Sequence, residues 1–263
     1  HLQMHGESVY SFVISSSVRV DIVQRLATSP QPTAHLIDYL DASTSTVYTA
    51  LADLERQGVV FDDDAGWRLT GQGRLVVDLI ERRDATVQTI NQDQDYWETH
   101  RTDHLPREFR RRLPELGTYE VVRSEPPDVR AHARVVIVRL EQAEHCRTAM
   151  PIHVPEYRNA FPDHPDSRLL FSPGVIDNVR ADSGTGTRDG IRQIDAAQCR
   201  VRDVQFGFTV SDSHLMLALR PMTQSPVASM LISEADSAIR WASELYESFW
   251  QDAEPVESYL NQV

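Results

Sequence analysis

Lysine is absent from this chain, although the sequence has 263 residues and 26 of them are basic. All 26 basic residues are therefore arginines, and they stand against 39 aspartates and glutamates, which gives a formal net charge of −13. A large acidic excess without lysine is typical of proteins that work in molar salt, because a Debye length of roughly 3 Å at ~1 M salt screens surface repulsion. The composition therefore predicts a halophilic source, while a GC-rich genome, which also favours arginine over lysine, stays the alternative.

Cysteine is nearly absent too, since the chain has only Cys146 and Cys199. Two cysteines cannot build a disulfide framework and give no CxxC metal motif, so we expect two buried hydrophobic side chains, with a redox-sensitive pair as the alternative. The sequence also lacks HExxH, GxSxG, GxGxxG and P-loop patterns. We therefore expect no catalytic residues, no metal site and no cofactor.

Long apolar runs are absent as well, and none approaches the ~18 residues of a membrane-spanning helix. The opening HLQMHGESVY lacks the basic-then-apolar order of a secretory signal, so we expect a cytoplasmic protein without membrane contact. The length suits two domains, and a hydrophobic fraction of 41% suffices for a core in each. We expect an N-terminal domain over residues 1–92, including a linker helix, and a second domain over residues 93–263.

The N-terminal domain has the pattern of a winged helix–turn–helix. Residues 8–27 are expected to be helical, with helical apolar spacing in VRVDIVQRLATSP, and TAHLIDYLD is expected to form a second helix. The third is DASTSTVYTALADLERQGVV, where Ser43 is a good N-cap and Gly58 a good stop. Two β-prone runs then flank a turn at 62–66, which predicts the hairpin that forms a wing. In this fold the third helix enters the major groove of double-stranded DNA.

The expected reading face consists mainly of hydroxyl groups. Hydroxyls can donate to and accept from base edges, and the free amides at the start of the helix add a phosphate site. Between Ser43 and Leu54 there is no basic residue, so hydrogen bonding and shape would replace much of the usual counterion release. An acidic interaction module without DNA contact is the alternative. The candidate DNA contacts are Ser43, Thr44, Ser45, Thr46, Tyr48 and Thr49 on the helix and Arg68 on the wing.

Residues 93–263 alternate strand-like and helix-like segments, which predicts a mixed α/β domain. Ligands in such domains tend to lie beyond the carboxyl ends of the strands. The segment PIHVPEY, from Pro151 to Tyr157, looks like such a strand exit. We therefore expect a small-molecule effector site near four side chains, each of which also has an ordinary structural explanation: His153, Tyr157, Ser172 and Thr209.

Three segments carry a family resemblance. DYWETHRTDHLPREFRRRLPELGTYEVV resembles the start of the middle domain of archaeal winged helix–turn–helix regulators of the FilR type, named as methanogenesis regulatory proteins. PIHVPEY and FGFTVSDSHLMLALR resemble later motifs of that domain, and together with the N-terminal pattern the likeness covers roughly residues 15–250. The resemblance implies a transcription regulator, usually dimeric, whose middle domain senses a small molecule or carries the dimer contacts.

Two expectations qualify this resemblance. The salt-adapted composition argues against carrying over the link to methanogenesis. If the middle domain has a fold like that of phospholipase D enzymes, the absence of lysine still rules out their HxKxxxxD motif, so phosphodiester chemistry is not expected. A homodimer is expected independently, because the helix that follows the wing has more apolar residues between 75 and 90 than one small domain needs.

Overall fold

The computed structural model describes residues 8–124, 127–128, 130–157, 160–182, 198–223 and 229–261. The chain forms two compact units, His1–Val87 and Gln88–Val263. The first unit is helical with a small hairpin and the second is a mixed sheet with helices, so the predicted fold class is confirmed. The division falls five residues before the expected boundary at 92, inside a continuous helix, where sequence pattern alone gives no signal.

The first unit consists of short helices followed by a two-stranded hairpin, the order expected for a winged helix–turn–helix. The described elements are α1 (Val9–Ile14), α2 (Ser17–Thr28), α3 (Thr33–Tyr39), α4 (Thr44–Arg56), β1 (Val60–Asp63), β2 (Gly66–Leu69) and α5 (Gly71–Gln92). The helical stretch expected from residue 8 to 27 is two helices, because the Ser16 hydroxyl accepts the Arg19 amide and begins α2 afresh. Their apolar faces enclose one core around Ile22, Leu36 and Leu51.

The second strand of the hairpin is paired, close to the turn, with the segment that precedes α3. Gln31 and Trp67 exchange both backbone hydrogen bonds, with N···O distances of 3.2 and 2.9 Å. Gly66 has a φ of +104°, and a Cβ there would lie 2.7 Å from the Gln31 carbonyl oxygen. Glycine is therefore required at the turn, because any side chain would push the hairpin away from the Gln31 backbone.

The second unit is built on an eight-stranded mixed sheet with the order β10-β6-β5-β4-β7-β8-β9-β3. Strands β4, β5 and β6 are parallel, and every other pairing is antiparallel. The strands are β3 (Tyr119–Arg123), β4 (Cys146–Met150), β5 (Arg168–Phe171), β6 (Cys199–Val201), β7 (Gly207–Ser211), β8 (Leu215–Ala218), β9 (Ser229–Ser233) and β10 (Glu254–Pro255). The described helices are α6 (Gln94–Thr99), α7 (Arg107–Arg110), α8 (Ala131–Gln142), α9 (Pro173–Asp182), α10 (Asp236–Gln251) and α11 (Val256–Leu260), with 3₁₀ turns at Leu113–Leu116 and Pro155–Tyr157.

The two faces of this sheet are covered differently. On one face α10 packs an aromatic core, in which Trp241 and Tyr246 are fully buried against Phe208 and its neighbours. On the other face α8 covers β8 and β9, while α9 covers β5 and β6. The space between α8 and α9, above β4 and β7, is left open. No helix in the described ranges is long and apolar enough to cross a membrane.

Candidate functional site

Helix α4 divides cleanly into an inner and an outer face. Val47, Ala50, Leu51 and Leu54 are buried, at the spacing of one helical stripe. All six residues expected on its DNA-facing side are exposed, and Tyr48 has an exposed fraction of 57%. The structure therefore brings this set together on one surface.

The hydroxyl groups at the start of α4 are linked to one another. The Ser43 Oγ accepts the Thr46 amide at 3.2 Å and lies 2.7 Å from the Thr46 Oγ1 and 2.9 Å from the Ser45 Oγ. The Thr49 hydroxyl donates to the Ser45 carbonyl at 2.9 Å. Ser43 thus caps the helix, and the hydroxyls beside it are held in fixed positions before any ligand arrives.

Two of the basic side chains beside this face are neutralised by aspartates. On α4 the Arg56 guanidinium lies 2.6 Å from the Asp53 carboxylate. On the wing the Arg68 Nε lies 2.7 Å from the Asp63 Oδ2, so the wing arginine is already ion-paired. Arg74, near the start of α5, is exposed and has no carboxylate within salt-bridge distance in the described part of the chain. The expected contact by Arg68 would require it to leave or share Asp63.

A cavity of about 630 Å³ occupies the open space between α8 and α9. It lies at the carboxyl ends of the parallel strands β4 and β5, beside antiparallel β7, where the strand direction in the sheet changes. This is the position at which open α/β sheets bind ligands, and the volume falls in the range of small-molecule sites. Most of the residues that line the cavity are apolar. They belong to α8, to the loop after β4, and to strands β8 and β9.

Two buried threonines form the polar part of the cavity floor. Thr148 on β4 lies directly opposite Thr209 on β7, and their hydroxyl oxygens are 3.0 Å apart. Both residues are at least nine-tenths buried. The Ser172 hydroxyl is used differently, because it donates to the Val204 carbonyl and accepts the Val204 amide, each at 3.0 Å. Ser172 therefore fixes the loop before β7 in place.

The charged groups of the cavity lie at its rim. Asp203 and Arg220 are exposed and are bridged by Gln205, which bonds to each of them. Inside the wall, the His132 Nδ1 lies 2.5 Å from the Ser124 Oγ, and burial lowers the pKa of this imidazole. Burial also raises the pKa of Tyr157 to about 12. Both side chains are therefore neutral at pH 7, and the interior of the described cavity wall has no formal charge.

Three of the four expected ligand residues line this cavity: Tyr157, Ser172 and Thr209. His153 lies in the same loop as Tyr157 but is not among the lining residues. Sequence reasoning missed Thr148, His132 and Ser229. The alternation in RTAMP places Thr148 and Met150 on one face of a strand and could have indicated Thr148, whereas His132 and Ser229 carry no such signal.

The two cysteines are buried on β4 and β6 and are not joined by a disulfide. Strand β5 lies between them, so their Cα atoms are at least two strand spacings apart, which is roughly 9–10 Å. A disulfide needs Cα atoms within ~7 Å. Burial raises the pKa of the Cys146 thiol to about 11, which keeps it protonated at neutral pH. The described residues also contain no group of three or more metal-ligating side chains.

Two family profiles match the chain. The family described as "Methanogenesis regulatory protein FilR1, middle domain" matches residues 130–252, a range that includes every residue lining the cavity. The family described as "HVO_A0261 N-terminal domain" matches residues 8–92. The chain is thus similar to one family over each of its two halves.

Among curated proteins, the Methanogenesis regulatory protein FilR1 of Methanothrix harundinacea (strain 6Ac) is 22% identical over 248 residues. The match covers 90% of this chain and 55% of that protein, so the chain spans about half the length of this relative. A solved structure, titled "Structure of TrmBL2, an archaeal chromatin protein, shows a novel mode of DNA binding", aligns over 97% of this chain and 96% of its own chain. Its sequence identity is 14% and its TM-score is 0.40.

Proposed function

We propose that the chain is a sequence-specific, DNA-binding transcription regulator that acts as a homodimer and senses a small molecule through its second unit. The observation that carries the proposal is the exposed, pre-ordered hydroxyl face of α4 on a helical unit with a hairpin. The similarity to FilR1, a protein named as a regulator, supports the same role. The composition supports a salt-loving archaeal source, and the similarity to a protein named as a regulator supports a role without catalysis.

The dimer is supported by an uncovered apolar stripe on α5. Four aliphatic side chains along this helix are exposed by 42% to 67%: Leu75, Leu79, Val87 and Ile90. A two-fold axis can place this stripe against the same stripe of a second copy. Such a pairing would remove the exposed aliphatic side chains of both helices from water. Two-fold readers also match two-fold operators, so a dimer makes twice the contacts that one copy can make.

Sensing is supported by contacts that lead from the cavity wall to the end of α5. Ser229, a lining residue, lies 2.6 Å from the His100 Nε2, and the His100 Nδ1 lies 2.9 Å from the Tyr96 carbonyl on α6. One residue after Tyr96, the Trp97 indole donates to the Thr89 carbonyl in α5 at 3.1 Å. A ligand that displaces Ser229 would therefore act on the helix that begins in the first unit.

The test of DNA binding is selection of duplexes from a random pool by the full chain in molar KCl, followed by anisotropy measurements on a selected and a scrambled duplex. Tyr48→Ala should reduce discrimination between the two by ~1–3 kcal/mol per lost base contact. Tyr39→Ala is the matched control, because Tyr39 is equally exposed, at 62%, but lies on α3. If the folded protein enriches no sequence, the proposal fails and an acidic protein-interaction module becomes the better explanation.

The redox alternative has little support from the geometry around Cys146 and Cys199. A disulfide between them would require β5 to leave the sheet, and a thiol with a pKa of about 11 reacts slowly with oxidants. We expect the double change of both cysteines to serine to leave any oxidant response of DNA binding unaltered. Loss of such a response in the double variant would restore the redox alternative.

A further inference from the structure

We propose that the cavity of the second unit binds a small uncharged molecule that has an apolar body and a hydrogen-bond acceptor, such as a carbonyl oxygen, directed at the Thr148–Thr209 hydroxyl pair. The inference rests on the proposed sensing role and assigns the chemical class of the effector. It follows from three properties of the described lining: its apolar walls, a hydroxyl donor on its floor that has only a weak acceptor, and the confinement of charge to its rim.

The walls provide an adaptable apolar surface. Thioether side chains enter from three strand segments, at Met150, Met216 and Met230, and Phe161 closes one side. Unbranched thioethers are polarisable and change rotamer readily, so such walls fit apolar bodies of varied shape. Rings and alkyl chains would gain free energy here in proportion to the apolar area that they bury.

The floor has one hydrogen-bond donor more than it has strong acceptors. The two threonine hydroxyls carry two protons, and one of these lies in the 3.0 Å bond between them. For the other proton, the remaining acceptor recorded among the described residues is the Cys146 sulfur, 3.7 Å from the Thr148 Oγ1. Sulfur is a weak acceptor. A carbonyl oxygen of a ligand would therefore satisfy a donor that is buried and poorly used, which is worth about fivefold in affinity.

The charge distribution excludes a carboxylate from the interior. Arg220, the cationic lining residue, is exposed at the mouth and already bonds to Gln205. His132, which also lines the cavity, is neutral because burial lowers the pKa of its imidazole. A carboxylate placed against the floor would lose its hydration without gaining a cation, and such burial is strongly unfavourable. A neutral ligand avoids this cost.

The test uses three probes with a common diaryl skeleton: benzophenone, diphenylmethane and 4-benzoylbenzoate. Their affinities for the full chain in molar KCl are measured by competition against a bound fluorophore, in the absence of DNA. We expect benzophenone to bind about fivefold more tightly than diphenylmethane, because only the ketone accepts from the floor. We expect 4-benzoylbenzoate to bind more weakly than benzophenone.

Variants then locate the contact. The double variant Thr148→Val/Thr209→Val keeps the side-chain shapes and should remove the benzophenone advantage while leaving diphenylmethane binding within twofold. Either single change breaks the bond between the two hydroxyls and leaves one proton free, so it should retain the advantage. Thr86→Val, a threonine on α5 outside the cavity, should change neither affinity. Ala218→Phe should weaken both neutral probes by filling the space. Thermal melts report whether each variant folds, and irradiation of bound benzophenone should label peptides that contain Met150, Met216 or Met230.

Three results would overturn the proposal. Equal affinities for benzophenone and diphenylmethane in the wild type would show that the hydroxyl pair recognises nothing. If 4-benzoylbenzoate bound most tightly of the three probes and Arg220→Ala removed this preference, the rim of the cavity would be an anion site. Labelling confined to peptides outside the cavity would place the probes elsewhere. None of these results depends on DNA binding, so failure of the ligand assignment and failure of the regulator proposal are separately visible.

Discussion

Asp63→Asn should steepen the salt dependence of DNA binding by releasing the wing arginine. In the wild type the Arg68 Nε is 2.7 Å from the Asp63 Oδ2, so its charge is compensated before DNA arrives. The Asp63 Oδ1 also accepts the Ala65 amide at 2.8 Å, and an asparagine oxygen can keep this bond. The substitution therefore removes the ion pair while preserving the turn of the hairpin.

The size of the effect follows from counterion release. Each phosphate neutralised by a cationic side chain contributes about −0.9 to the slope of log affinity against log salt. One freed arginine in each half of a two-fold complex should steepen the slope by about 1.8. The wild-type slope should stay well below the value for ~6–10 phosphate contacts, since α4 presents hydroxyls and amides rather than cations.

The assay is fluorescence anisotropy on a selected duplex between about 0.5 M and 3 M KCl, where the Debye length is only a few Å. Asp62→Asn is the matched control, because it removes the same charge from the same strand but Asp62 pairs with no arginine in the described part of the chain. Equal slopes for the two variants would show that Arg68 does not reach DNA. A wild-type slope steeper than about −6 would show that charge neutralisation dominates after all.

Further outcomes are expected for stability and assembly. Burial is the main cause that lowers the pKa of His100, His132 and His214 in the folded chain. The unfolded chain therefore binds more protons than the folded chain below pH 6.5. Denaturant titrations should show the unfolding free energy falling as pH drops from about 7 to 5. Val47→Asp should abolish the melting transition of the first unit in calorimetry, because Val47 is fully buried and a charge there has no partner. Leu79→Glu should convert dimers to monomers in light scattering at high salt. Circular dichroism should show loss of structure as KCl is removed, since the charge of −13 is then unscreened, whereas unchanged spectra would contradict salt adaptation.

The first unit was predictable because its signals are local. Ser43 caps α4, Gly58 has a φ of +70° where the helix ends, and the apolar stripe between them has helical spacing. Each of these features is decided within a few residues of sequence, where capping and turn chemistry act. The same reasoning missed the break between α1 and α2, because three consecutive serines offer several equivalent cap positions.

The cavity was less predictable because its floor is made by distant pairing. Thr148 and Thr209 are 61 residues apart and meet only because β4 pairs with β7 in one register. Ser172 lines the cavity, but its hydroxyl is occupied by the backbone of Val204, which no local pattern reveals. The pairing of Arg68 with Asp63 depends similarly on how the hairpin turn brings the two side chains together.

In the proposed regulator, the ion pairs beside the hydroxyl face of α4 would connect DNA binding to assembly. Exposed pairs such as Asp53–Arg56 stabilise a fold by only ~0–1 kcal/mol, and by less in molar salt. Their main effect would therefore be to cancel positive charge on the surface that approaches DNA. With Arg56 and Arg68 both compensated, one copy has little electrostatic attraction to a phosphate backbone and must rely on short-range contacts. Two copies held together double those contacts without a second loss of translational freedom. Leu79→Glu should therefore weaken DNA binding as strongly as a change on α4, although Leu79 lies on another helix, and full affinity in a monomeric variant would refute this link.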